Sequence, residues 1–170
     1  DDPQLTVRGV PGNTPQRIVM AKSPLPKERV LFQDGMAPTR VYSLDAQPEL
    51  EGVPHVSLQR WPTADFPSAW FALLKDLGQA GFHRILCECG TTLVGLLLPS
   101  NELWNRFLLF TAPKFLGQGL PWTRDLPPNW KDSLRLSRFE AVDCDFLTEF
   151  ENVYGNHSGL GNPPLAGTSR

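Results

Sequence analysis

The chain has 170 residues, 20% of them charged and 41% hydrophobic, with a formal net charge of -2. This is enough chain for one domain with a real core, in proportions ordinary for a globular protein. The near-neutral balance gives no broad surface for nucleic acid or an anionic membrane, the apolar run from Leu93 to Leu98 is far too short to span a bilayer, and no signal-peptide pattern opens the chain.

In chain order, Asp1-Asp2-Pro3-Gln4-Leu5-Thr6-Val7-Arg8 reads as a turn leading into a short extended arm, followed by loop. Arg17-Ile18-Val19-Met20-Ala21 is a predicted strand with β-branched residues at its centre. Pro24 and Pro26 keep the next stretch irregular, and Val30-Leu31-Phe32 is too short to assign. Strands are predicted over residues 39–44 and 53–58, the second with Pro54 marking its start or a sheet edge. The clearest helix has Pro67 in its first turn, an apolar stripe at Trp70, Leu73, Leu74 and Leu77, and Gly78 and Gly81 at its end. Farther on, residues 107–112 form an apolar strand and residues 113–119 a glycine-bearing loop, after which Trp122 and Trp130 are expected to lid an apolar surface. Residues 134–142 alternate apolar and polar as a half-exposed strand does, and residues 146–150 return as its hairpin partner through Asp143-Cys144-Asp145. From Tyr154 onward Gly, Asn, Pro and Ser dominate, so a domain over residues 1–151 is expected to end in a disordered tail over residues 152–170.

The chemistry concentrates in Arg84-Ile85-Leu86-Cys87-Glu88-Cys89-Gly90-Thr91-Thr92-Leu93-Val94-Gly95. Ile85, Leu86 and Cys87 read as a buried strand that stops at Glu88. Gly90 lets the chain bend and lets another molecule approach the backbone. Thr91 or Thr92 is placed to cap a helix continuing to Leu98. Together with the strand and helix before it, this order favours a parallel, right-handed crossover. A helix that starts at the carboxyl end of a parallel strand offers free N–H groups to the crevice where open α/β sheets bind ligands, and those groups favour anions. Most such turns bind nothing, but a carboxylate like Glu88 is costly to bury alone and so meets either solvent or a specific partner. The three cysteines and three histidines show no zinc spacing, so no metal is expected. Cys87 and Cys89 read more simply as buried packing residues than as a redox pair, with reduced thiols in a cytosol-like compartment.

Four stretches in order carry a family resemblance: Asp1-Asp2-Pro3-Gln4-Leu5-Thr6-Val7-Arg8, Arg17-Ile18-Val19-Met20, Ile85 to Gly95, and Ala112-Pro113-Lys114-Phe115-Leu116-Gly117. Together they resemble the reductase domain of the riboflavin-biosynthesis deaminase/reductase. Cys89 after the glutamate resembles the plant and cyanobacterial branch. The resemblance implies an α/β, dihydrofolate-reductase-like fold: a mixed, mostly parallel sheet flanked by helices, with a C-terminal antiparallel hairpin. It implies NADPH-dependent reduction of 5-amino-6-(5-phosphoribosylamino)uracil to the ribitylamino product, hydride passing from the nicotinamide to the sugar's C1. It places Leu5, Arg8 and Glu88 at the substrate, a phosphorylated uracil. It places Asp1, Gly90, Thr91, Thr92, Leu93, Val94, Gly95 and Leu96 at the NADPH. No residue is assigned as the general acid. A homodimer is one implied assembly, and the implied location is cytoplasmic, or the plastid for a plant chain.

The chain also departs from the family pattern. Family members begin with a strand carrying a Lys-x-Ala-x-Ser-x-Asp-Gly-like pattern, so the first strand of the family fold is expected to be missing and the domain to be N-terminally truncated. Ala21-Lys22 stands where Asp-Ser is usual, and Asn105-Arg106 where Asp-Glu is usual. The zinc deaminase half is absent from the pattern, so no deamination is expected. Two alternatives stand beside the reductase: a catalytically degenerate homologue serving as a nucleotide-binding or scaffolding domain, and an unrelated α/β phosphosugar-binding module.

Overall fold

The computed structural model describes residues 2–100, 102–119, 121, 126 and 128–155. Asp1, Trp122 and residues 156–170 lie outside them, and with them the expected cofactor role of Asp1, the Trp122 lid and most of the tail expected over residues 152–170. Asn152, expected in that tail, is instead buried at the end of the last strand. The chain divides into two compact units, Asp1–Ile85 and Leu86–Arg170.

The first unit is built on three parallel strands, β1 (Arg17–Ala21), β2 (Thr39–Ser43) and β3 (Val56–Arg60), in the order β1-β2-β3. Side chains alternate between the faces of a strand, and this alternation sorts the core into two clusters. On one face Tyr42, with Ile18 and Met20, packs against Trp61, Ala69, Leu73 and Leu77. On the other face Val41, with Val19, Val56 and Leu58, packs against Leu31, Phe32 and Leu50. Leu31 and Phe32 belong to a one-turn helix, α1 (Val30–Gln33). Leu50 closes a 3-10 turn over Pro48–Leu50. β3 starts at Val56 rather than at residue 53, because Thr39 pairs with Val56 and sets the register.

α2 (Phe66–Gln79) is the helix the apolar stripe requires. Asp65 caps it, its carboxylate accepting from the Ser68 N–H at 3.0 Å, and Pro67 sits in the first turn. Gly81, at φ +87°, turns the chain out of the helix. The Gly81 N–H then reaches the Gly78 carbonyl and the Phe82 N–H the Leu77 carbonyl, each at 3.0 Å, which satisfies the helix's last acceptors. Gly78 itself lies within the helix.

A buried charged network lies at the entry of β1. The Arg17 side chain is fully buried and donates to both oxygens of Asp34 at 2.8 Å, to the Ala37 carbonyl at 2.8 Å, to Thr39 Oγ1 at 2.9 Å and to the Gln4 carbonyl at 3.3 Å. Burial pushes the Asp34 carboxyl up, but the Met36 N–H, the Arg17 guanidinium and nearby His55 outweigh it and hold the group below its ordinary 3.8. Because the folded value lies below the unfolded one, the unfolded chain binds more protons here. The stabilisation is complete above about pH 4 and is lost as pH falls through the folded value. Asp34→Asn is therefore expected to flatten the acid limb of a stability-against-pH curve below about pH 4, measured by urea unfolding. An acid limb as steep as the wild type's would show that Asp34 contributes nothing to it.

In the second unit, α3 (Thr91–Leu97) precedes an antiparallel sheet of β4 (Arg106–Thr111), β5 (Leu134–Val142) and β6 (Asp145–Asn152), in the order β4-β6-β5. The hairpin turns at Asp143-Cys144, with Asp143 at φ 52°. The ladder shifts register between Leu136 and Arg138, where the Ser137 hydroxyl donates to the Glu149 carbonyl. Phe107 stacks on Phe150 and Phe139 on Phe146. Asn152 is fully buried and fastens the end of β6 to the entry of β4: its Nδ2 donates to the Trp104 carbonyl and its N–H to the Asn105 carbonyl. Among the described residues, no helix is long and apolar enough to cross a membrane.

Two expectations are corrected here. The α/β class and mixed strand directions stand, but residues 85–87 form no strand: Ile85 is 43% exposed and Leu86 78%. An apolar run signals which faces will be covered, whereas a strand also needs a neighbour to meet its N–H and C=O groups. Among the described residues no backbone hydrogen bond joins residues 83–89 to a ladder. The crossover expected from residue 53 to residue 98 therefore has no final parallel strand among them. Nor are Cys87 and Cys89 buried packing residues, since Cys87 is exposed and Cys89 half-buried.

Candidate functional site

The residues singled out by sequence fall into both units. Leu5 and Arg8 belong to the first. Their arm is held at two points. The Asp2 carboxylate accepts from the Val30 N–H at the start of α1, at 3.1 Å, and the Gln4 carbonyl accepts from Arg17. Between tether and Arg8, Leu5 adopts φ 51°, a left-handed conformation that costs a leucine energy and persists only where its surroundings enforce it. Leu5 is half-buried and Arg8 exposed.

Glu88 and Gly90 to Leu96 belong to the second unit. Glu88 is exposed on the unpaired stretch before α3, with Cys87 and Cys89 on either side. The two thiols interact. A hydrogen bond with Cys89 pushes the Cys87 thiol up, while accepting that bond holds the Cys89 thiol below its ordinary value. The thiolate is the nucleophile, so Cys89 is expected to be alkylated by iodoacetamide before Cys87. Peptide mapping of a partly labelled sample reads the order, and equal labelling of the two would contradict it.

At α3 the N-cap is Gly90, not a threonine. Gly90 has φ -82° and ψ 178°, extended backbone open to any residue, so the bend does not require glycine. What glycine supplies is room, since nothing lies within 4 Å of where a Cβ would stand. Thr91 is the first helical residue, and its hydroxyl donates to the Pro121 carbonyl at 2.7 Å instead of capping. The first bond of the helix is from the Val94 N–H to the Gly90 carbonyl at 3.1 Å. Among the described residues no acceptor meets the N–H groups of Thr91, Thr92 and Leu93, and the first turn holds no acidic residue.

The Thr91–Pro121 bond ties the helix start to the loop after β4, which sequence reading quoted as a motif without giving it a role. That loop edges an open hollow of about 550 Å³ along Lys114, Phe115, Leu116 and Gly117. Phe115 and Leu116 are fully or largely exposed, and Gly117, at φ +72°, needs its glycine. Its two apolar residues just before Gly117 and Gly119 were the signal available in the sequence. A glycine with open space, N–H groups that meet no acceptor among the described residues and no acid in the helix's first turn are the chemistry that suits a phosphate.

Comparison with known proteins decides the family, because the RibD C-terminal domain model matches residues 1–148. The chain belongs to the RibD C-terminal domain family. Solved structures agree on the fold. A diaminohydroxyphosphoribosylaminopyrimidine deaminase/5-amino-6-(5-phosphoribosylamino)uracil reductase from Thermotoga maritima matches with TM-score 0.70 at 22% identity, over 89% of this chain and 42% of that one. Acinetobacter baumannii RibD matches with TM-score 0.72 at 21% identity, over 89% of this chain and 43% of that one. The riboflavin biosynthesis reductase Rib7 of Saccharomyces cerevisiae matches with TM-score 0.62 at 16% identity, over 82% of this chain and 70% of that one. The chain thus spans less than half the length of the two bacterial proteins. No curated protein sequence matches it. The fold of this RibD C-terminal domain is dihydrofolate-reductase-like, as the resemblance implied. Membership in the family also removes the unrelated phosphosugar module as an explanation.

Proposed function

We propose that the chain is an NADPH-dependent reductase acting on 5-amino-6-(5-phosphoribosylamino)uracil, giving the ribitylamino product of riboflavin biosynthesis. The observation that carries this is the match of residues 1–148 to the RibD C-terminal domain, supported by the reductases named among its structural relatives. NADPH, when bound, supplies the hydride. The chain's own residues bind and orient. Thr91, Thr92 and Leu93 offer backbone N–H groups to the cofactor's phosphates, Gly90 leaves them room, and Val94, Gly95 and Leu96 continue that wall. Asp1 is assigned to the cofactor as well. Arg8 takes the substrate's phosphate or uracil oxygens through its fork of donors, Leu5 packs on the substrate, and Glu88 orients the uracil by accepting from its N–H groups. The product forms by positioning and electrostatics rather than by a protein nucleophile. The assignment is to a homodimer in the cytoplasm, or the plastid of a plant.

Titration with NADPH followed by nicotinamide fluorescence tests the cofactor half. Gly90→Val fills the open space at the start of α3 and is expected to weaken NADPH binding by about tenfold or more while leaving the fold intact, since extended backbone suits valine. Unchanged affinity in this variant would remove the helix start from the cofactor site.

A further inference from the structure

We propose that Arg17 is a positioning residue whose buried guanidinium, clamped by Asp34, tethers the arm that carries Leu5 and Arg8 and so sets their geometry toward substrate. The substrate half of this statement rests on the reductase reading above; the tether itself does not.

Four observations lead there. Arg17 heads a strand whose next residues are apolar, yet its side chain has no exposure at all. A buried arginine is expensive unless each donor is met, and here the carboxylate, two carbonyls and a hydroxyl meet them. Three of those partners, Asp34, Ala37 and Thr39, lie on the short stretch that leads into β2, and they hold the guanidinium still. The fourth is different: the Gln4 carbonyl belongs to the arm, and the residue after it is Leu5 in its left-handed conformation. A leucine held at φ 51° needs an anchor on its flank, and the Arg17 bond is the anchor next to it. Asp2, on the Val30 N–H, fixes the arm's other end. The arm is thereby a strap fastened at Asp2 and Gln4, with Arg8 projecting beyond it.

The alternative is that Arg17 only stabilises the fold. Lysine at this position separates the two roles, because it keeps the charge beside Asp34 but lacks the fork that spans Asp34, Ala37 and Gln4 at once. In the full chain, R17K is expected to speed amide exchange of residues 4–8 roughly tenfold, about what one charge-assisted hydrogen bond carries. Amides of 18–21 and 40–43 are expected to keep wild-type exchange. In turnover assays KM for the ribosylaminouracil is expected to rise roughly tenfold with kcat within about twofold. Sheet amides that exchange as fast as the arm's, or an arm that exchanges as in the wild type, would overturn the tether. If R17K does not fold, Asp34→Asn, which keeps the shape and loosens the clamp, is held to the same exchange pattern. A wild-type chain with no turnover would sink the reductase reading alone, and the exchange comparison would still decide the tether.

Discussion

Glu88→Gln is expected to lower kcat/KM for the ribosylaminouracil by roughly 30- to 100-fold while NADPH affinity stays as in the wild type. The carboxylate accepts two hydrogen bonds from uracil N–H groups in the proposed complex. The amide keeps the size but replaces one acceptor by a donor, which opposes a ligand N–H. Losing a charge-assisted bond and leaving a ligand donor unpaired costs about 2–3 kcal/mol, the fold-change just given. Glu88 is exposed on a stretch with no strand pairing, so the substitution removes no packing and stability is expected to be unchanged. Steady-state kinetics with both substrates varied separates the two affinities. Unchanged affinity and turnover for the uracil substrate would take Glu88 out of the site.

Arg17→Met is expected to destabilise the first unit by about 3–5 kcal/mol, because it leaves a largely buried carboxylate and two carbonyls without their donor. The methionine fills the arginine's apolar stem, so the loss comes from unmet polar groups rather than from a cavity. A double variant, Arg17→Met with Asp34→Leu, is expected to recover much of the loss, since removing both charges avoids the orphaned one. Thermal unfolding monitored by circular dichroism reads this as a fall in Tm of roughly 10 °C or more for the single variant. A single variant as stable as the wild type would mean that the network holds no stability.

The contrast between these sites shows what the sequence made legible. α2 was readable from one end to the other: a stripe of Trp70, Leu73, Leu74 and Leu77, Pro67 in the first turn, and Gly81 where the chain turns left-handed. The β5–β6 hairpin was readable because its alternation and its two-residue turn are local. What failed was non-local. The run Ile85-Leu86-Cys87 has the composition of a buried strand, yet pairing depends on a partner that composition does not name. β3 slipped from 53–58 to 56–60 because its register is set by Thr39, on another strand. α1 is a single turn, shorter than any periodic window. The Arg17–Asp34–Gln4 network brings together residues far apart in sequence, and its one trace was a charge at the head of an apolar strand. The start of α3 after Gly90 was legible as secondary structure, but the cap is the glycine and not a threonine, because Thr91 spends its hydroxyl on Pro121.

The most direct measurement is to mix the chain with NADPH and 5-amino-6-(5-phosphoribosylamino)uracil, follow the reduced-nicotinamide absorbance, and quantify the product by mass. NADPH is predicted to disappear mole for mole with the appearance of a product two hydrogens heavier than the substrate. NADPH that neither binds nor is consumed in the presence of substrate would contradict the assignment.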